Sequence, residues 1–156
     1  MRLHDGRLAG IVDTLILPDD SPMKRHATGT FVVKLNPLDL NEIGEGETRG
    51  RISINKTFHG DLEATSIGEM LSAMTEVKGS AGYVAIERVV GILQGRQGSF
   101  VLQHSGTMNR GAPRLAVTVV PDSGTAELAG LTGSLTITMR EGVHCYGFDY
   151  ELANGT

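Results

Sequence analysis

Three ionisable residues stand inside stretches that otherwise read as apolar strands: Glu63 in "DLEAT", Glu87 in "VAIERVV" and His104 in "SFVLQHSGTM". A carboxylate stripped of water by apolar neighbours has a raised pKa and suits general acid or base work, and an imidazole titrates near neutrality. In a strand, alternate side chains share a face. Glu87 therefore shares its face with Tyr83, Ala85, Val89, Gly91 and Leu93. One aromatic, several small residues and one acid are the makings of a pocket wall. His104 shares its face with Phe100, Leu102, Gly106 and Met108. The turn "QGRQG" makes the two stretches hairpin neighbours, so Glu87 and His104 meet if both point inward.

Each of these residues also has a plain structural reading. His104 is then a hydrogen-bonded core histidine, and Glu87 an interface acid or the partner of Arg88 or Arg96. Lys56 shares a face with Ile52, Ile54 and Phe58; a Schiff-base role is conceivable, but its long stem favours reaching the rim of the fold. His59, Asp61 and Glu63 are close in sequence, yet Gly60 interrupts their register and the set does not read as a metal site. Ser105 points away from His104, Cys145 has no neighbouring base, and no helix follows the glycine-rich "GRQGS" or "GEGETRG" to offer amides to a phosphate. No metal and no cofactor is expected.

The elements that must position these groups are almost all strands. "TGTFVVKL", "RISINKTF", "GYVAIERVVGIL", "SFVLQHSGTM", "RLAVTVV", "SLTITM" and "VHCYGFDYEL" alternate or are rich in β-branched residues. "DLEATS" and "EMLSAMTEVKG" read as two strands joined by a turn at Ile67–Gly68. "PDSGTAELAGLTG" reads as a glycine-rich connection holding about one helical turn. A run of short links predicts an antiparallel meander that closes into an all-β barrel of about eight strands. Residues 1–26 read as an N-terminal extension, in which Leu15, Ile16 and Leu17 are able to pack on a barrel end or a neighbouring subunit, and 27–156 as a single barrel domain.

Composition narrows the partners. The 156 residues are 40% hydrophobic and 21% charged, with a net charge of −4 and no basic run. That balance predicts a folded chain and no nucleic-acid partner. No apolar stretch approaches a membrane helix, the start lacks a secretory signal, and one cysteine forms no internal disulfide, so a cytoplasmic protein is expected.

The phrases "KTFHGDLEATSIGEMLSA", "KGSAGYVAIERVVGILQGRQGSFVLQHSGTM" and "VVPDSGTAELAGLTGSLTI" carry a resemblance. From about Ala27 to Leu152 the chain resembles the bacterial DUF3224 family, which is similar in fold to allene oxide cyclase and lipocalin-like barrels. The resemblance implies a small closed antiparallel barrel with an apolar cavity, a shape used elsewhere for cyclising or isomerising bound apolar molecules. Ile67, Met74 and Ile92 stand where polar or basic residues are usual in that family, which predicts a more apolar interior here.

Two functions follow as expectations. The first is a cofactor-free isomerase or cyclase acting on a small apolar molecule, with Glu87, His104 and Glu63 as catalytic groups. Tyr83 and Lys56 would contact the substrate, and Phe100, Leu102, Met74, Ile92, Tyr146 and Phe148 would line its cavity. The alternative is a lipocalin-like binding protein in which the same residues only orient a ligand. Apolar residues on both faces of several strands, among them Val117, Val119, Val120, Val32 and Val77, predict a homo-oligomer.

Overall fold

The structure, a computed structural model, describes residues 21–153. The patch at Leu15 to Leu17 lies outside them. Eight antiparallel strands follow one another around a closed barrel: β1 (Met23–Leu38), β2 (Arg49–Gly60), β3 (Leu62–Met74), β4 (Ala81–Leu93), β5 (Arg96–Asn109), β6 (Ala112–Val119), β7 (Thr132–Arg140) and β8 (Val143–Leu152). Closure comes from β8 returning to β1, with Met23 paired to Leu152 and Phe31 to His144. Residues 23–26, which the sequence reads as extension, are thus the first residues of β1 in the barrel wall. Among the described residues no helix is long and apolar enough to cross a membrane.

The tight turns follow from backbone chemistry. Gln94–Gly95, Arg110–Gly111 and Glu141–Gly142 each place two successive residues at positive φ. That is the two-residue hairpin geometry whose twist matches the flanking strands, and glycine at its second position adopts it without strain.

Ile67–Gly68 is not a turn. β3 runs straight through it, with Gly68 paired to Glu87 and to Ile54 on either side. A Cβ at Gly68 would lie 2.8 Å from Glu87 Cα and 3.0 Å from Glu87 Cβ. The glycine is there because the neighbouring strand crowds it, which is the other reason a strand interior holds glycine. With β3 unbroken, Leu62, Ala64, Ser66 and Gly68 all face inward.

The two ends of the barrel differ. At one, β6 and β7 pair directly only at Thr118–Ser134, and the connection between them runs along the edge of β5. There the Val120 amide donates to the Val101 carbonyl at 2.8 Å and the Thr125 amide to the Ser99 carbonyl at 2.9 Å. The same connection, through a single 3₁₀ turn at Ala126–Leu128, drives Leu128 and Leu131 under the barrel against a core that includes Leu62, Leu93 and Leu152. All five leucines are at most 2% exposed, so this end is sealed. At the other end Met74, Met108 and Leu115 remain 64%, 44% and 45% exposed around a cavity of about 610 Å³. Val117 and Val119 share one parity and both face the core, so they do not make an apolar outer surface.

Candidate functional site

Between the sealed half and the open half lies a belt of polar groups from four consecutive strands. Lys56 on β2, Ser66 on β3, Glu87 on β4 and His104 on β5 are all buried, and Glu87 is 0% exposed. Strand alternation turns each of them inward, and the barrel's diagonal register brings them to one point. The Lys56 ammonium donates to Glu87 Oε2 at 2.8 Å, and His104 Nε2 lies 2.8 Å from the same oxygen. The Ser66 hydroxyl donates to Oε1 at 2.5 Å. Lys56 Nζ also sits 4.9 Å from the ring centroid of Phe31 and 5.7 Å from that of Phe58, where the ring faces add attraction for the cation.

This belt reverses the expected electrostatics of Glu87. Burial alone pushes its pKa up, as a desolvated acid should behave. The hydrogen bond from His104, the positive charge and hydrogen bond of Lys56 and the Ser66 hydroxyl together outweigh burial and hold it down, at about 2. Glu87 is therefore a fixed carboxylate whose lone pairs are occupied, not a poised acid. Its ion partner is Lys56, not Arg88 or Arg96. Lys56 in turn does not reach the rim; it is 7% exposed and held at the centre of the barrel.

The open cavity lies beyond the belt, none of whose four residues lines it. Above the belt the walls are Ile52, Met70, Met74, Tyr83, Met108 and Leu115. The Tyr83 ring lies across Gly106 on β5; a Cβ there would stand 2.9 Å from Tyr83 Cδ1, so only glycine leaves room for the ring. Burial first, and the nearby Glu87 charge second, raise the Tyr83 pKa, which keeps its hydroxyl protonated and able to donate.

Several residues expected at a site lie elsewhere. Glu63 is on the outer face of β3, 60% exposed, where it accepts from the Gly60 amide and stands 3.5 Å from His59. Ile92 is outward too, because it carries the opposite strand parity from Glu87, and Ile67 is likewise on the surface. The interior is thus not made more apolar by either, and only Met74 of the three departures reaches the cavity. Phe100, Leu102 and Phe148 face inward but belong to the packed half, each at most 1% exposed. Tyr146 is also core: its hydroxyl accepts from the Leu62 amide at 2.9 Å and donates to the His59 carbonyl at 3.1 Å, clamping the β2–β3 turn. Ser66 was missed in the sequence because a turn read at Ile67–Gly68 broke the alternation that marks it as inward. Among the described residues no three His, Cys, Asp or Glu side chains group as a metal site would need.

The profile of the DUF3224 family, described as a protein of unknown function, matches residues 27–150. The chain belongs to that family. A solved DUF3224 protein of unknown function from Shewanella oneidensis MR-1 is 53% identical, covers 86% of this chain and 100% of its own, and superposes with a TM-score of 0.77. No curated protein matches. The belt and the cavity lie within the residues the family matches and not in an appended segment.

Proposed function

We propose that this DUF3224 barrel binds a small apolar molecule in its open end. The observation that carries the reading is the asymmetry of the interior. One half is filled to the last side chain, while the other keeps an apolar cavity of about 610 Å³, within the usual size of small-molecule sites. A fold that needed only stability would have closed both ends. Tyr83, in the cavity wall, keeps a protonated hydroxyl.

Binding is favoured over isomerase or cyclase chemistry by the state of Glu87. A general acid or base must give or take a proton near neutral pH, and a carboxylate held at about 2 by three donors does neither. His104, bonded to Glu87 through Nε2, does not line the cavity, and Glu63 is outside the barrel. The site orients a ligand without transforming it.

Titration with N-phenyl-1-naphthylamine, an uncharged probe that fluoresces in apolar surroundings, tests this. The expected result is saturable binding of one probe per chain, lost in Met70→Trp, whose indole occupies the cavity, while circular dichroism shows the fold retained. Saturable binding that survives Met70→Trp, or no saturable binding at all, overturns the reading.

A further inference from the structure

The cavity's apolar wall ends in charge of one sign. Lys78, from the β3–β4 loop, and Arg114, on β6, line it, and no Asp or Glu does. This is unusual for the molecule, whose net charge is −4. Three other concavities all include carboxylates: Glu42 and Glu69 in one, Asp149 and Glu151 in the next, Glu63 and Glu127 in the third. In the first of them Arg51 is paired with Glu69 at 3.0 Å.

The loop that carries Lys78 is held in place. The Gly111 amide donates to the Gly79 carbonyl at 2.9 Å, and the Arg110 amide donates to the Ser80 hydroxyl at 3.1 Å. These bonds dock the β3–β4 loop on the β5–β6 turn, beside the strand that bears Arg114. The belt adds no competing charge to that lining, since none of its residues lines the cavity and Lys56 pairs with Glu87 at 2.8 Å.

We propose that the ligand is an amphipathic anion: a free molecule with an apolar body seated between Met70, Tyr83 and Leu115, and one carboxylate, sulfate or phosphate head at the mouth beside Lys78 and Arg114. The inference rests on the cavity-binding reading and adds the ligand's charge and its orientation, head outward. Cations at an exposed rim attract an anion with modest, salt-sensitive strength, while the apolar body supplies the larger part of the affinity.

Isothermal titration with decanoate, decanol and decylammonium, each kept below its aggregation threshold, tests the proposal. The expected order is decanoate, decanol, decylammonium, with decanoate several-fold tighter than decanol at low salt and the gap narrowing as salt is added. In Lys78→Gln/Arg114→Gln the ratio of decanoate to decanol affinity falls to about one. Decanol binding as tightly as decanoate in the unaltered protein, tighter binding of decylammonium, or a decanoate preference that survives the double substitution overturns the proposal while leaving the cavity reading standing. Binding of none of the three overturns the cavity reading itself.

Discussion

The sealed and open halves of this barrel are built from the same eight strands, with inward residues drawn by the same alternation, yet they hold different contents. Below the belt, Phe58, Phe100 and Phe148 pack with leucines from β3, β4, β8 and the β6–β7 connection, and the ring centroids of Phe100 and Phe148 are 5.7 Å apart. Above it the inward positions carry methionines, small residues and Tyr83, and a cavity remains. The difference teaches where a strand barrel keeps its stability and where it keeps room for a guest. Large, branched and aromatic residues fill space at defined rotamers, whereas methionine adapts its shape to whatever occupies the gap.

The belt is the boundary, and breaking it is expected to have the largest effect. Glu87→Leu leaves the Lys56 ammonium buried without its carboxylate, and Lys56→Met leaves the Glu87 charge without its cation. Each is expected to lower the stability of the fold by about 3–5 kcal/mol, read by urea denaturation. The double variant Lys56→Met/Glu87→Leu is expected to be more stable than either single variant, because no charge is then stranded. A double variant as unstable as the sum of the singles would show that the belt does more than neutralise itself.

The same carboxylate predicts the acid response. Its pKa in the folded protein, about 2, lies below its ordinary value of 4.5. A depressed folded pKa means that the stabilisation is fully present above about 4.5 and is lost as the pH falls from there toward 2. The urea midpoint is therefore expected to fall through that window, and to fall less steeply in Glu87→Gln. An equal slope in the variant would place the acid sensitivity in other carboxylates.

Leucines in the two halves are expected to differ. Leu131 is 0% exposed against the sealed end, and Leu115 is 45% exposed at the mouth. Leu131→Ala is expected to cost about 2–5 kcal/mol through lost burial and the void it leaves. Leu115→Ala is expected to cost less than about 1 kcal/mol while weakening apolar probes in the cavity. Equal costs at the two sites would mean that the open end is as tightly packed as the sealed one.

Much of this architecture was legible in the sequence. Turn dipeptides such as "QG" and "EG" between alternating runs gave the meander, and the hairpin around "QGRQG" brought Glu87 and His104 to a common face, where they meet at 2.8 Å. Alternation reports which face a residue occupies but not how far along the barrel it sits. Phe100, Leu102, Tyr146 and Phe148 were accordingly read as cavity wall although they lie in the packed half. Gly68 hid a second piece, because glycine marks both turns and crowded strands, and only the pairing with Glu87 tells them apart. Lys56 escapes a sequence reading for a related reason: its burial depends on a carboxylate two strands away, which no local pattern contains.

Tyr83 and Tyr146, two of the three tyrosines that face inward, differ in the same way. The Tyr146 hydroxyl serves the backbone, accepting from the Leu62 amide and donating to the His59 carbonyl. In Tyr146→Phe the buried Leu62 amide loses its acceptor, an expected loss of about 1–3 kcal/mol. Tyr83 is only half-buried and its ring rests over Gly106 at the cavity wall, so Tyr83→Phe is expected to leave stability within about 0.5 kcal/mol of the parent. Its effect should appear in binding, as weaker retention of ligands that accept a hydrogen bond and no change for pure hydrocarbons. Thermal unfolding of both variants, beside calorimetric titration of Tyr83→Phe with a ketone and its parent alkane, separates the roles. A destabilised Tyr83→Phe with unaltered binding would move Tyr83 into the structural half, and the boundary between the halves would then lie above the belt.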